Sequence, residues 1–157
     1  MNTTLTRRSM IVTSAAAGGM LVAFGVSAED APAAPPPASA FIRIPPKGPI
    51  VLIMPRVEMG QGTYTSQAML LAEELEVGLD QVVLEAAPPN AALYSDPING
   101  EQVTGTSATT MAWYDPLRQA GATVRTLMIA AGAQRLGVPA GECHAERGAV
   151  IHAKSGR

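Results

Sequence analysis

The sequence predicts an α+β fold, in which a small mixed sheet with hairpins packs against two main helices. Short apolar runs of strand length occur at residues 41–44, 49–54 and 81–86, and turn-forming residues separate the first two. Two longer segments carry apolar residues at helical spacing. The chain of 157 residues is long enough for one small domain with its own core.

The first two apolar runs predict a hairpin. Residues 41–44 alternate between apolar and other side chains, residues 45–48 provide a proline- and glycine-containing turn, and residues 49–54 form a continuous apolar run. Alternation is typical of a half-buried strand, whereas a continuous run is typical of a strand buried on both faces. The second strand is therefore expected in the interior.

The first main helix follows a glycine-rich turn at residues 60–62. Four of its apolar residues repeat at spacings of three and four, which places them on one stripe; they are Ala68, Leu71, Ala72 and Leu75. Gly78 stands where a helix C-terminus favours a positive φ. A short strand at residues 81–86 and a loop at residues 87–100 are predicted to follow.

The second main helix is predicted from Ser107 to Leu136, because this alanine-rich segment is stopped by Gly137 and Pro139. Pro116 predicts that its first turns are separate or kinked. The residues predicted to enter the core are Leu117, Val124, Leu127 and Met128. The residues predicted to permit close approach of another element are Ala120, Ala130, Ala131 and Ala133.

A last hairpin is predicted from strands at residues 143–146 and 149–153. Cys143 is the only cysteine, so the chain has no intrachain disulfide, and the residue is predicted to be half-buried in its strand. His144 and His152 have no third ligand nearby, and no metal site is predicted there. A net charge of −2 with scattered Lys and Arg excludes a nucleic-acid-binding role.

The N-terminus predicts an export signal over residues 1–28. Arg7 and Arg8 precede a moderately apolar stretch that ends in small residues, the pattern of a twin-arginine signal peptide. A membrane anchor is the alternative, but the glycine and serine content favours a signal. Residues 29–40 predict a proline- and alanine-rich linker, and residues 41–157 the folded domain. The expected location is the periplasm or the periplasmic face of the inner membrane.

Other polar and aromatic residues suggest less. Glu58, Glu73 and Glu74 could indicate acid–base chemistry, but Glu73 and Glu74 are adjacent on a helix and point in different directions. Solvated charge is therefore the better interpretation of that pair. Trp113 and Tyr114 are predicted to be packing residues beside the start of the second helix.

The triplet Gly60, Gln61 and Gly62 lies between an apolar strand and a helix. Glycine lets the backbone approach a ligand closely, and the glutamine amide both donates and accepts, which suits the edge of a heterocycle. The helix that follows is expected to direct free N–H groups to the same place, which favours anionic groups. On spacing alone, however, a tight strand-to-helix turn is the better interpretation.

A second segment changes this balance. Small hydroxyl residues fill positions 104–110 and open the long helix, which continues into the sequence Asp-Pro-Leu-Arg at residues 115–118. Together with the motifs at residues 41–44, 58–62, 72–75 and 137–143, this order resembles the start of the molybdenum-binding large subunit of the xanthine oxidase and aldehyde oxidase family. The similarity is to the branch of isoquinoline 1-oxidoreductase beta subunits and membrane-bound aldehyde dehydrogenases, and it covers roughly residues 40–157.

The resemblance implies a cofactor and the residues that contact it. The cofactor is molybdopterin carrying molybdenum, expected in its cytosine dinucleotide form. Gln61 would contact the pterin, Gly60 and Gly62 would allow its approach, and the dinucleotide would be lined by Thr106, Ser107 and Thr109. Thr106 stands where the family often has glycine, and Thr109 where it often has serine. The alternative for Ser107 and Thr109 is ordinary helix capping.

The resemblance also implies an activity and partners. The family oxidises aldehydes or hydroxylates N-heterocycles with water as the oxygen source, and its electrons leave through iron–sulfur clusters on a separate small subunit, in some cases with a cytochrome subunit. The family's catalytic base lies outside these 157 residues, so no catalytic residue is assigned. The chain is expected to be a C-terminally truncated fragment of a larger molybdopterin-binding architecture, inactive alone. The alternative is an exported binding or interaction domain that has lost the chemistry.

Overall fold

A computed structural model describes residues 36–157. Strands β1 (Ile42–Arg43), β2 (Ile50–Met54) and β3 (Val82–Ala86) form one sheet, and strands β4 (Cys143–Glu146) and β5 (Ala149–His152) form a second. The helices are α1 (Thr63–Leu75), α2 (Ala91–Tyr94) and α3 (Thr109–Leu136). The predicted α+β class is therefore confirmed. The predicted signal peptide and most of the predicted linker lie outside the described residues.

The three-stranded sheet is mixed, as predicted. β1 pairs antiparallel with β2, with Ile42 opposite Leu52, and β2 pairs parallel with β3, with Leu52 opposite Leu84. The parallel pairing is possible because α1 provides the crossover connection between β2 and β3. Leu52 is fully buried, so the prediction of an interior second strand is confirmed.

An aromatic cluster joins the sheet to the helices. Phe41 lies edge-on to Trp113 at 5.5 Å and to Tyr94 at 6.0 Å between ring centroids, and all three are buried. Tyr94 comes from α2, a short helix inside the segment predicted to be a loop, and its hydroxyl donates to the carbonyl of Ala40 at 2.9 Å. Ala40 is itself buried, so the core begins within the segment predicted as linker.

The first main helix buries the stripe that its periodicity predicts, since Ala68, Leu71, Ala72 and Leu75 are all inside. Its C-terminus differs from the prediction. Glu76 takes the left-handed conformation with φ of 60°, which lets the Val77 amide donate back to Ala72, whereas Gly78 is extended at φ −77°. The predicted positive φ at Gly78 is wrong because the chain already turns two residues earlier. Gly78 is crowded instead: a Cβ there would lie 2.1 Å from Asp80 Oδ1.

Pro116 predicts first turns that are either separate or kinked. The second main helix runs without a break through Pro116, so separate turns are wrong, whereas a kink stays a prediction. Proline removes one helical hydrogen bond and crowds the preceding turn. Buried residues lie on both sides of Pro116, with Trp113 before it and Leu117 after it, and both belong to the same core. Packing on this shared face outweighs the local cost.

Two glycines of the second main helix, which were not among the alanines predicted to permit close approach of another element, lie at its tightest contacts. A Cβ on Gly121 would lie 2.8 Å from the carbonyl oxygen of Leu71, and one on Gly132 would lie 2.7 Å from the Val150 side chain. Ala120 and Ala133 are buried as expected, but Ala130 and Ala131 are exposed.

The C-terminal half of α3 is less covered than its periodicity predicts. Leu117 is fully buried, but Val124 and Leu127 are only half-buried. Met128 is 42% exposed, so its predicted place in the core is wrong. The β4–β5 hairpin packs against this half of α3. A two-stranded hairpin is too narrow to bury the whole apolar stripe of the helix.

Ion pairs also link the main helices. Glu74 accepts two hydrogen bonds from the Arg118 guanidinium and lies 3.8 Å from Arg125, so the prediction of a solvated Glu74 is wrong. Tyr114 is 44% exposed beneath the Arg118 guanidinium, whereas Trp113 packs as predicted.

The terminal hairpin forms as predicted. β4 and β5 pair antiparallel across a two-residue turn in which Arg147 and Gly148 have φ of 45° and 77°. Two positive φ values match the twist of a tight hairpin. Cys143 is half-buried, as predicted, and β5 ends at His152. Within residues 36–157, no helix is both long enough and apolar enough to cross a membrane.

Candidate functional site

The two predicted motifs meet in one cleft of about 400 Å³ between the start of α1 and the start of α3. Gln61 reaches it from one side, and Thr106, Ser107 and Thr109 reach it from the other, although more than 40 residues separate the two segments in the chain. Further hydroxyl groups come from Thr63, Ser66, Thr104 and Thr110. None of the residues that line the cleft is acidic.

The glycines of the triplet shape the loop without lining the cleft. Gly60 and Gly62 have φ of 92° and 80°, and nothing lies within 4 Å of a Cβ built on either. Glycine is therefore required by backbone conformation, not by crowding. Gln61 is exposed, and its amide is bonded within the loop: Oε1 accepts from the Met59 N–H at 2.5 Å, and Nε2 donates to the Val57 carbonyl at 3.0 Å.

Glu58 organises this loop, a role that the sequence analysis did not assign. Its Oε1 accepts from the N–H groups of Gly60 at 2.6 Å and Gly62 at 3.0 Å, and its Oε2 accepts from that of Tyr64 at 3.0 Å. The hydrogen bonds from Tyr64 and Gly62 are the main causes that lower the pKa of Glu58. A carboxylate just before a helix start is the signal that could have revealed it.

The Glu58 carboxylate also corrects the prediction for the α1 N-terminus. The first N–H groups of α1 were expected to be free for an anionic ligand, but that of Tyr64 already donates to Glu58. The negative charge of Glu58 would in addition repel a second anion at this end of the cleft. An anionic group is therefore better placed against α3.

We expect Glu58→Gln to reduce stability and to remove part of its acid dependence. The amide nitrogen that replaces one carboxylate oxygen donates and cannot accept, so at least one backbone N–H loses its acceptor. Because the folded pKa is lowered, the contribution of Glu58 is present at neutral pH and is lost as pH falls below the ordinary value of 4.5 and through the folded pKa. Urea unfolding from pH 7 down to the acid range measures this.

The matched control is Glu73→Gln, since Glu73 is an exposed residue of α1. The control should retain the acid dependence of the original chain. An unchanged acid dependence in Glu58→Gln would show that the loop does not rely on this carboxylate.

The start of α3 is not capped by a side chain. Its N-cap is Ala108, with no side-chain hydrogen bond to the helix, and its first turn contains no acidic residue. Ser107 and Thr109 are thus not ordinary capping residues, which was the alternative left open. The first N–H groups of an α-helix have no acceptors within the helix, so this end offers donors beside the hydroxyl groups of the cleft.

Thr106 and Ser107 both have φ of 56°, in the left-handed region that glycine prefers. Position 106 therefore has a backbone conformation that suits glycine, the residue that the resemblance implies there. Thr104 joins the two walls directly, because its Oγ1 accepts from the Val57 N–H at 2.9 Å.

A buried ion pair is linked by hydrogen bonds, through Asn99, to Thr106 in the lining of the cleft. Arg56 Nη2 lies 2.7 Å from Asp96 Oδ2, and both side chains are only 1% exposed. The Arg56 guanidinium stacks over the Trp113 ring at 5.1 Å and donates to the Tyr94 carbonyl at 3.1 Å. Asp96 also accepts from the Ile98 N–H at 2.9 Å. Burial raises the pKa of Asp96, but the hydrogen bonds from Asn99 and Arg56, with the charge of Arg56, together lower it below its ordinary value.

Three buried side chains have polar atoms without a hydrogen-bond partner among the described residues; they belong to Arg56, Gln67 and Trp113. Gln67 is 1% exposed, and neither its amide nitrogen nor its amide oxygen is hydrogen-bonded within residues 36–157. Gln67 lies one helical turn after Thr63, which is one of the residues that line the cleft. Buried amide groups normally have hydrogen-bond partners, so the Gln67 amide remains able to donate and to accept a hydrogen bond.

The two histidines of the terminal hairpin contact neighbouring side chains of the same C-terminal segment. His152 is buried, with Nε2 3.0 Å from Glu142 Oε2 and Nδ1 2.8 Å from Ser155 Oγ. His144 is half-exposed and lies 3.5 Å from Glu146. In the described part of the chain, no three His, Cys, Asp or Glu side chains are grouped to hold a metal ion.

Comparison with known families identifies the domain. A family model described as a molybdopterin cofactor-binding domain matches residues 6–157. The chain belongs to this family. The isoquinoline 1-oxidoreductase subunit beta of Brevundimonas diminuta is 34% identical over 155 residues, which are 98% of this chain and 20% of that protein. A membrane-bound aldehyde dehydrogenase of Gluconacetobacter polyoxogenes is 36% identical over 100 residues, or 64% of this chain and 12% of that protein.

Solved structures show the same fold. The Cu,Mo-CO dehydrogenase superposes with a TM-score of 0.57 at 21% identity over 78% of this chain and 16% of the other. The quinoline 2-oxidoreductase of Pseudomonas putida 86 superposes with a TM-score of 0.53 at 22% identity over 72% of this chain and 14% of the other. The predicted family is confirmed, and this molybdopterin cofactor-binding domain spans about a fifth or less of the length of these proteins.

The chemistry of the cleft fits part of such a cofactor. A pterin joined to phosphate groups needs amide partners for its ring edge, and it needs N–H or hydroxyl donors for its phosphate oxygens. The cleft combines the Gln61 amide with seven hydroxyl side chains and has no acidic residue in its lining. The residues present are therefore compatible with a polar, anionic heterocycle.

Proposed function

We propose that this molybdopterin cofactor-binding domain forms one wall of the cofactor site of a molybdenum hydroxylase. The observation that carries the proposal is the meeting of the Gly-Gln-Gly loop and residues 104–110 in one cleft rich in hydroxyl groups and free of acidic residues. Neither segment is specific alone, but a strand-to-helix turn has no need of a distant hydroxyl-rich partner. The shared cleft thus favours ligand binding over a plain turn.

Each side of the cleft has its own task in this proposal. On the α1 side, Gln61 would exchange its hydrogen bonds within the loop for the edge of the pterin, while Glu58 keeps anionic groups away. On the α3 side, Thr106, Ser107 and Thr109 would line the site for the phosphate groups of a dinucleotide, expected to be the cytosine form, and the uncapped helix start would supply N–H donors to their oxygens. The bound cofactor would supply molybdenum for the redox chemistry.

The activity of the complete enzyme is proposed from its relatives. They are named as oxidoreductases of isoquinoline, an aldehyde and nicotinate, so we propose an aldehyde or N-heterocycle substrate, with water as the oxygen source. Two of the names denote one subunit among several, which supports an iron–sulfur small subunit, and in some assemblies a cytochrome subunit, as partners. We further propose export to the periplasm by the twin-arginine route and no turnover by these 157 residues alone.

Binding of the cofactor tests the proposal. The full chain should bind molybdopterin, released anaerobically from a donor molybdenum enzyme, weakly and saturably in a calorimetric titration. Gln61→Ala should weaken binding about 5- to 150-fold, because a buried heterocycle edge that loses its amide partner costs about 1 to 3 kcal/mol.

Gln119→Ala is the control for this titration, since Gln119 is an exposed residue of α3 away from the cleft. The control should bind like the original chain. Equal affinity of the Gln61 and Gln119 variants, or no binding by any of the chains, would contradict the proposal and favour a binding domain with another ligand.

A further inference from the structure

The conformation of Thr106 needs an explanation, because a β-branched residue is disfavoured at φ of 56°. The next residue, Ser107, has the same φ, so the wall of the cleft contains two consecutive left-handed residues without a glycine. Such a conformation persists only where the surroundings hold it. The contacts of the Thr106 side chain show what holds it here.

A chain of hydrogen bonds connects Thr106 to the interior. Thr106 Oγ1 donates to Asn99 Oδ1 at 3.2 Å, and Asn99 Nδ2 donates to Asp96 Oδ2 at 3.0 Å. The same Asp96 oxygen accepts from Arg56 Nη2 at 2.7 Å, within the buried ion pair. The Arg56–Asp96 pair is a rigid end point for this chain of hydrogen bonds, because the Arg56 guanidinium also stacks on Trp113.

The position of Asn99 in this chain demands both halves of its amide. Its oxygen accepts from Thr106 while its nitrogen donates to Asp96, so a side chain with only acceptors cannot replace it. An aspartate at this position would place a second carboxylate against Asp96. Asparagine is thus matched to its two neighbours.

We infer that Asn99 is a positioning residue that transmits the rigidity of the Arg56–Asp96 pair to Thr106 and so sets the shape of the α3 wall of the cleft. Asn99 and the Arg56–Asp96 pair lie outside the predicted site, and only the consequence of the inference for molybdopterin rests on the proposed function. It predicts that the need for Asn99 disappears if residue 106 takes the left-handed conformation unaided, as glycine does.

Four full-length chains test this: the original, Asn99→Ala, Thr106→Gly and the double variant. The first readout is amide hydrogen exchange of residues 104–110 without any ligand. Asn99→Ala should exchange about fivefold faster, the factor that one lost hydrogen bond typically produces. Thr106→Gly should restore slow exchange in the Asn99→Ala background. Additive effects of the two substitutions, without rescue, would overturn the inference.

Thr106→Val provides a milder variant that should fold whether or not Asn99→Ala does. It keeps the shape and the β-branch of threonine but removes the donor to Asn99, and it should raise exchange in residues 104–110 as Asn99→Ala does. Unchanged exchange in Thr106→Val would overturn the inference as well.

The second readout is the affinity of the same chains for molybdopterin. Asn99→Ala should weaken binding in the original chain but not in the Thr106→Gly background, a result that a purely structural role of Asn99 would not produce. Rescue of hydrogen exchange without binding by any chain would contradict the proposed function but not the role of Asn99. Binding that is equally strong in all four chains would contradict the role of Asn99 in the cleft.

Discussion

Asp96→Ala should lower the free energy of unfolding by about 3 to 5 kcal/mol, the cost of leaving a buried charge without its partner. Arg56 would remain 1% exposed with no carboxylate beside it, and the N–H group of Ile98 would lose its acceptor. Since domains of this kind are stable by about 5 to 15 kcal/mol, the loss is a large part of the total. The midpoint of denaturation in urea measures it.

An exposed ion pair provides the control for this prediction. Arg43 and Glu85 lie 2.6 Å apart, but their side chains are 55% and 49% exposed, so Glu85→Ala should cost about 1 kcal/mol or less. A chain with Arg56→Met and Asp96→Leu together should be more stable than Asp96→Ala alone, because no unpaired charge remains. Similar losses in Asp96→Ala and Glu85→Ala would show that the buried pair does not anchor the fold.

The second large effect is expected at the crossing of the two main helices. Gly121→Val should destabilise the domain by about 1 to 3 kcal/mol or more, because overpacking forces the surrounding structure to move. Its Cβ would lie 2.8 Å from the carbonyl oxygen of Leu71, which belongs to the backbone of α1 and cannot rotate away. Thermal unfolding followed by circular dichroism measures the change.

Ala130→Val is the matched control, since Ala130 is an exposed residue of the same helix. It introduces the same β-branched side chain. Valine has a lower helix propensity than alanine but a higher one than glycine, so propensity alone would make Ala130→Val the more destabilising of the two variants. If both variants melted at the same temperature, the close approach of α1 and α3 at Gly121 would be contradicted.

Local patterns in the sequence were sufficient for most of the secondary structure. The spacing of Ala68, Leu71, Ala72 and Leu75 predicted the buried face of α1, because a helix returns to the same face every three or four residues. The same reasoning failed at Met128, since periodicity describes the face of a helix and not the size of what covers it. The prediction of a positive φ at Gly78 failed for a related reason. The left-handed residue at the end of α1 is Glu76, and glutamate gives no sequence signal for that conformation.

The candidate site shows the same division. Gln61 and residues 104–110 were selected from their composition and a family resemblance, and the structure brings them into one cleft. The buried pair of Arg56 and Asp96 could not be found in this way, because its members are 40 residues apart in the sequence and each is a common surface residue type. Contacts between distant side chains depend on the tertiary fold, which no local pattern describes.

The left-handed conformation of Thr106 needed both the sequence and the tertiary structure to be understood. The family resemblance implies a glycine where this chain has threonine, and the structure supplies the φ of 56° that explains why glycine suits this position. It also supplies the hydrogen bond to Asn99 that lets this chain use threonine instead.

Hydrogen exchange of the full chain with and without molybdopterin tests the central claim most directly, because it reports both walls of the cleft in one experiment. The account predicts that added cofactor slows exchange in residues 57–62 and in residues 104–110 together, and that Gln61→Ala reduces the effect in both segments. Protection confined to one segment, or to the separate groove lined by Met69, Leu70 and Tyr114, would contradict a shared cofactor site.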